Sequence, residues 1–293
     1  MLSAIVFQMR SARAGDALAE LERAENFPVA LRVLPARLRS DLHAVYAVAR
    51  TIDDLGDRGA GSRTAALLDF RTDLHRIWAG SPPQRPVLRA LVPAVAAHGL
   101  SPDPFDRLIE AGLTDRRVTR YQTFEELLGY CRLSAEPVGR LVLDVFGQNS
   151  PAATELSDRV SVALGLLDLW QDIGEDRRAG RVYLPGEDLT EFGVRETDLD
   201  AACAAPGLKA LMAFETRRAA ALLESGVPVL NRVRGWARLA IAGYIAGGRA
   251  TVAALRRNDF DVLATRARAR RRDTARAAAT LLLHARRGKE IGP

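Results

Sequence analysis

An all-α fold is predicted for these 293 residues on three observations. Ala, Leu, Arg and Glu are abundant, the β-branched and aromatic clusters of strands are scarce, and apolar residues recur at spacings of three and four. With 48% apolar and 27% charged residues, the chain can bury a substantial core. In order, helices are expected at about 14–24, 37–56, 62–79, 84–98, 103–111, 123–147, 153–175, 196–225, 229–257 and 260–287. The breaks carry punctuation. PP at 82–83 parts the third helix from the fourth, GLSPDP at 99–104 the fourth from the fifth, and QNSPA at 148–152 the sixth from the seventh. GRVYLPGEDLTEFG at 180–193 separates the seventh from the eighth. No repeat, low-complexity linker or composition shift divides the chain, so residues 1–293 are expected to form a single domain with short connections.

Several function classes are excluded at this level. No uncharged run reaches the roughly 18–20 residues that span a bilayer. The longest candidate, 90–102, is interrupted by Pro93. The N-terminus, MLSAIVFQMR, lacks the basic stretch and cleavage site of a secretory signal. Cys131 and Cys203 make no disulfide framework, which fits a reducing, cytoplasmic compartment. His43, His75, His98 and His284 are scattered without metal-ligand spacing, so zinc is not expected. The net charge of +6 is uneven: from Arg256 onward 11 Lys/Arg stand against 4 Asp/Glu, with RARARRR at 266–272. That tail fits either a solvated Arg-rich helix or a peripheral contact with anionic lipid at the inner membrane face. No zinc finger, helix-turn-helix signature or aromatic stacking motif supports a nucleic-acid partner.

Two acidic stretches carry the chemistry. RTIDDLGD at 50–57 puts Asp53, Asp54 and Asp57 within five positions and Arg50 one turn upstream, and QDIGED at 171–176 contains a second pair, Asp172 and Asp176. On a helix, Asp57, Arg50 and Tyr46 fall about 40°, 60° and 20° from Asp53, with Val48, Leu55, Ala44 and Ile52 on the other side. Counted from Asp168, Asp172 and Asp176 lie about 40° and 80° away and Glu175 about 20° in the other sense, opposite Leu166, Trp170 and Ile173. An ordinary surface helix also has an acidic face opposite an apolar one. Against that, stacked carboxylates repel by a few tenths of a kcal/mol. Gly56 costs its helix about 1 kcal/mol more than Ala would, and the pattern occurs twice. Coincidence, solvated surface and a divided Mg²⁺ site facing a diphosphate all remain open from spacing alone.

In combination, the motifs resemble a known family. ARTIDDLGD (49–57) and WQDIGEDRRAGRVYLP (170–185) are similar to the two aspartate-rich motifs of the squalene/phytoene synthase family, head-to-head prenyl synthases. ENFPVALRVLP at 25–35, VYAVARTIDD at 45–54, YCRLSAEPVGRLVL at 130–143 and NDFDVL at 258–263 extend the resemblance over most of the chain. ENFPVA and SAEPVG further resemble the hopanoid-pathway branch, which converts presqualene diphosphate to hydroxysqualene. The resemblance implies an isoprenoid-synthase helical bundle with a central cavity, Mg²⁺ as cofactor and a prenyl diphosphate substrate, presqualene or farnesyl diphosphate. It implies that Asp53 and Asp57, with Asp54 between them, and Asp172 and Asp176 bind metal. Tyr46 and Arg50 then match diphosphate contacts, Tyr183 the tyrosine of the flap after the second motif, and Phe27 an aromatic at the polar end of the cavity.

The chain departs from the family pattern at Gly165 and Asp168, where relatives carry Gln and Asn; Asp168 keeps an oxygen donor for the metal, and the Gln contact is lost. Asn26 stands where carotenoid-forming relatives often have Ser. Of the flap arginines Arg177, Arg178 and Arg181, each is expected either to clamp diphosphate oxygens with Arg50 or to stay solvated. Arg266 is the C-terminal arginine nearest to a phosphate-binding position, and Glu136 is a polar group at the SAEPVG kink, where water must reach the cation. No Gly-rich dinucleotide fingerprint is present.

Overall fold

A computed structural model describes residues 34–57 and 63–286. The helix expected at 14–24, and Asn26 and Phe27, lie outside the described residues. The elements are α1 (Ala36–Asp57), α2 (Arg63–His75), α3 (Pro86–His98), α4 (Asp103–Thr114), α5 (Phe124–Ser134), α6 (Glu136–Val145) and α7 (Pro151–Gln171). There follow α8 (Ile173–Arg178), α9 (Gly186–Glu191), a 3₁₀ turn (Glu196–Asp200), α10 (Pro206–Gly226), α11 (Val229–Arg232), α12 (Gly235–Arg257) and α13 (Arg271–Arg286). The predicted all-α class is what the structure shows. Among the described residues no strand forms, and no helix is long and apolar enough to cross a membrane.

Helix ends follow local chemistry. Ser150 Oγ accepts from Ala153 N–H at the start of α7, where Pro151 sits in the first turn. Thr123 does the same for α5 through Glu126 N–H. Several helices expected to be continuous are broken. The one expected at 123–147 breaks at Ala135, because Pro137 enters the first turn of α6. The one at 153–175 breaks at Asp172, the one at 196–225 is a 3₁₀ turn and a helix from Pro206, and the one at 229–257 parts at Val233 and Arg234. Residues 260–270, expected in the last helix, are not α-helical.

Apolar side chains gather in three clusters. One joins α1 to α4 with Leu141, Val142 and Val145 of α6. A second joins α5, α7, the segment after α8, and α10. The third joins the first half of α7 to α11, α12 and Leu281 of α13 through Leu143 of α6. Helix α6 is therefore the shared neighbour of α1 and α7, which carry the two acidic stretches. Its approach to α7 needs a small residue: a Cβ at Gly139 would collide with Ser161 Oγ and meet Ser157 Oγ at 3.0 Å. Gly139 of SAEPVG thus has a packing role at this crossing.

Candidate active site

On α1, Val45, Val48, Ala49 and Ile52 are buried, and burying Val48 and Ile52 contributes roughly 1.5–3 kcal/mol each. That anchoring leaves Tyr46, Asp53 and Asp54 half-buried. Arg50 is only 5% exposed. Its Nη2 donates to Asp54 Oδ1 at 3.2 Å, while its Nε and Nη1 are buried with no hydrogen-bond partner. Open donors on a buried guanidinium are costly until an anion accepts from them.

The second acidic stretch lies deeper, at the break between α7 and α8. Asp168, Asp172 and Asp176 are all buried. Backbone N–H groups of Glu175 and Asp176 donate to the Asp172 carbonyl at 2.8 and 2.9 Å, restarting the helix at once. Burial pushes the Asp172 carboxyl up to about 8; the nearby Arg266 opposes the rise, and Asp168, Glu175 and Asp176 add to it. Burial likewise raises Asp176 to about 6, against Arg181, with Asp115 adding to the rise. Arg266 Nη2 stands 3.1 Å from Asp172 Oδ1, and Arg181 Nη2 donates to Asp176 Oδ1 at 3.3 Å. Gln171 Nε2 donates to the Ala267 carbonyl, which holds the segment carrying Arg266 against the break. Part of the basic tail is thereby committed inside the protein.

The segment after α8 folds back onto residues 119–122. Val182 N–H donates to Thr119 O and Gly186 N–H to Tyr121 O, both at 2.9 Å. This seats Tyr183 against Tyr121 and Tyr130, with ring centroids 5.9 and 5.4 Å away. The hydroxyls of Tyr130 and Tyr183 both donate to Asp115 at 2.8 Å. Burial raises the Asp115 carboxyl and both hydrogen bonds oppose the rise; Arg181 is close enough to lower it further. Asp115, Tyr121 and Tyr130 were not singled out by the sequence reading, although Tyr130 opens one of its motifs. The remaining flap arginines differ. Arg177 binds Asp200 and Glu196 at 2.8–2.9 Å, tying the flap to the 3₁₀ turn, and Arg178 is exposed. Glu136 is held at the α5–α6 break by Arg107 at 2.9 Å and Arg140 at 3.2 Å.

Two charged neighbourhoods result: Tyr46, Arg50, Asp53, Asp54 and Asp57 on α1, and Asp168, Asp172, Asp176, Arg181, Tyr183 and Arg266 around the α7–α8 break. Their donors are carboxylate oxygens, the set that suits a hard cation such as Mg²⁺. Among the described residues no three His, Cys, Asp or Glu side chains converge to hold an ion by themselves.

The chain matches the squalene/phytoene synthase family model over residues 22–273 and belongs to that enzyme family. It is 29% identical over 288 residues to a 15-cis-phytoene synthase of Synechococcus elongatus, covering 89% of this chain and 93% of that protein. It is 33% identical over 217 residues to a hydroxysqualene synthase of Rhodopseudomonas palustris, covering 73% of each. The crystal structure of squalene synthase HpnC from Alicyclobacillus acidocaldarius superposes with a TM-score of 0.73 at 38% identity, covering 88% of this chain and 94% of that one.

Proposed function

We propose that this chain ionises presqualene diphosphate and lets one water capture the rearranged cation, releasing hydroxysqualene and diphosphate. The branch is supported by ENFPVA and SAEPVG and by the likeness to the hydroxysqualene synthase and to HpnC. The observation that carries the diphosphate half is Arg50: a buried guanidinium with two open nitrogens on the same helix as Asp53 and Asp57.

In this reading Asp53, Asp54 and Asp57 on one helix, and Asp168, Asp172 and Asp176 on the other, hold Mg²⁺. The metal supplies Lewis-acid charge neutralisation for the leaving diphosphate. The allylic or cyclopropylcarbinyl C–O bond breaks with its electron pair going to that diphosphate. Arg50, Arg181 and Arg266 donate to diphosphate oxygens, Tyr46 adds a hydroxyl, and charge-assisted hydrogen bonds of this kind are roughly twice as strong as neutral ones. Arg177 holds the flap in place through Glu196 and Asp200. Tyr183, fixed by Asp115, forms part of the wall beside Asp176. Asn26 and Phe27 are assigned to the substrate pocket on the resemblance alone. Water adds its oxygen to the cation and loses a proton; Glu136→Ala with an unchanged product ratio would remove Glu136 from any part in guiding it.

A second reading, head-to-head condensation of two prenyl diphosphates to presqualene diphosphate, squalene or a phytoene-type product, is favoured by the breadth of the phytoene synthase likeness. Purified protein incubated with Mg²⁺ and either presqualene or farnesyl diphosphate, without NADPH, separates the two by mass spectrometry. Hydroxysqualene from the first and no product from the second is expected. Condensation of farnesyl diphosphate would establish the second reading in its place.

A further inference from the structure

We infer that the α11–α12 corner is a docking surface for an anionic lipid bilayer, with Trp236 seated among the headgroups and Arg232 and Arg234 on their phosphates. Of the large apolar side chains among the described residues, four are exposed: Leu68, Val92, Trp236 and Leu283. Two of them, Trp236 at 42% and Leu283 at 56%, are on the α12–α13 hairpin. Trp is the side chain best suited to a membrane boundary, since its ring is apolar and its N–H is a donor.

The exposure is built into the fold. Gly235 has φ 55°, a conformation costly for other residues, and it makes the turn into α12. Beneath the turn Val229, Leu230 and Val233 are 0% exposed and Ala237 is 1% exposed, and Arg238 Nε donates to the Val233 carbonyl at 3.0 Å. A corner pinned in this way presents Trp236 without paying to order a loop. Its charge points to the occupant. Residues 225–258 contain Arg232, Arg234, Arg238, Arg249, Arg256 and Arg257 and no Asp or Glu. Arg249 is neutralised by Glu224, whereas Arg232 and Arg234 are exposed and form no ion pair with a described residue. An aromatic flanked by unneutralised arginines complements the negative surface of a bilayer containing acidic lipid. At the other end of the hairpin Arg266 faces Asp172 and Arg257 pairs with Asp273.

The surface is separate from the acidic stretches, so its test reads lipid binding and not turnover. Flotation of the full chain should recover it with vesicles of mixed phosphatidylcholine and phosphatidylglycerol and leave it behind with phosphatidylcholine alone. Trp170 is fully buried and the Trp78 indole N–H is bonded to the Leu100 carbonyl, so a blue shift of emission on binding reports Trp236. Trp236→Ala should abolish that shift and weaken binding while leaving the circular dichroism melt unchanged. The double change R232Q/R234Q should lower partitioning roughly 30-fold, from about 1 kcal/mol per charge. Wild-type binding by both variants, or equal binding to neutral vesicles, would overturn the assignment. So would a lipid-free, concentration-dependent blue shift accompanied by dimer mass, which would give the corner to a second copy of this chain.

Discussion

The two acidic stretches share a spacing and differ in their electrostatic state. The first lies on one unbroken helix, its Asp53 and Asp54 half-exposed, and its buried partner is a cation, Arg50. The second straddles a helix break, its aspartates are themselves buried, and its cations arrive from distant segments as Arg181 and Arg266. One neighbourhood therefore holds a buried cation with two donor nitrogens open, and the other holds buried carboxyls whose ionisation burial opposes. In the proposed reading a metal–diphosphate pair would serve both, its anion accepting from Arg50 and its cation offsetting the carboxylates around Asp172.

The largest expected effect tests that complementarity. Asp53→Asn and Asp172→Asn should each lower kcat/KM by roughly 10³-fold, the several kcal/mol of a lost metal contact. Their stabilities should part. Asp172 has a folded value of about 8 against an ordinary 3.8, so the folded protein keeps a proton there that the unfolded chain releases, and stability falls as pH rises from about 4 through 8. Removing that titration should make Asp172→Asn more stable than wild type at pH 8 by roughly 1–3 kcal/mol, with little change for Asp53→Asn. Equal melting shifts in the two variants would erase the contrast between the stretches. The same difference should appear in calorimetry with Mg²⁺ and diphosphate near pH 7 in buffers of unlike ionisation enthalpy. Wild type and Asp53→Asn should release protons from Asp172 and Asp176 on binding, and Asp172→Asn distinctly fewer.

Smaller effects are expected from the cations. Arg50→Gln removes a preformed anion contact and should raise KM by roughly 10–100-fold, from about 1.5–3 kcal/mol for a charged hydrogen bond. Arg266→Gln should cost less, roughly tenfold, because Arg266 already spends part of its charge on Asp172. Its mark would be the acid limb of the pH–rate profile moving upward, since Arg266 is the group that holds Asp172 down. An unmoved limb would separate Arg266 from the second stretch.

Much of this arrangement was legible in the sequence. Periodicity placed most of the described helices but not α9 or the breaks inside several of them, and angular counting on Asp53 and Asp168 separated the polar residues from Val48, Ile52, Leu166 and Trp170, which the structure buries. Counting has no term for depth, so it treated Asp53 and Asp172 alike. Nor could it find the break at Asp172, where no proline or left-handed residue interrupts the chain. Contacts made by folding were equally hidden: Arg266 reaches Asp172 across 94 positions, and Asp115 gathers Tyr130 and Tyr183 across 15 and 68. Arg177 looked like a clamp by position in its motif, yet Glu196 and Asp200 take its donors.

The smallest expected effect on activity sharpens the comparison from outside. Glu215 is as buried as any acid among the described residues, and burial together with a hydrogen bond to Asp188 pushes it up to about 9. Its neighbours differ from those of Asp172. Arg218 Nη1 lies 3.3 Å from Glu215 and 2.8 Å from Asp188, and its guanidinium sits over the Phe124 and Phe214 rings at 4.1 and 4.4 Å. With Glu215 protonated, the Glu215–Asp188–Arg218 group is closed, with one acid, one carboxylate and one cation, and Glu187 adds only a further repulsive charge. Glu215→Gln keeps a donor toward Asp188 and should leave kcat/KM within about twofold. Stability of the wild type should fall as pH rises from 4.5 toward 9, since the unfolded chain gives up this proton first; the variant should lose roughly 1–2 kcal/mol less over that span. A large loss of activity in this variant would mean that a raised carboxyl alone marks the reactive region. Retained activity would show that what sets Asp172 apart is a charge balance completed only from outside the chain.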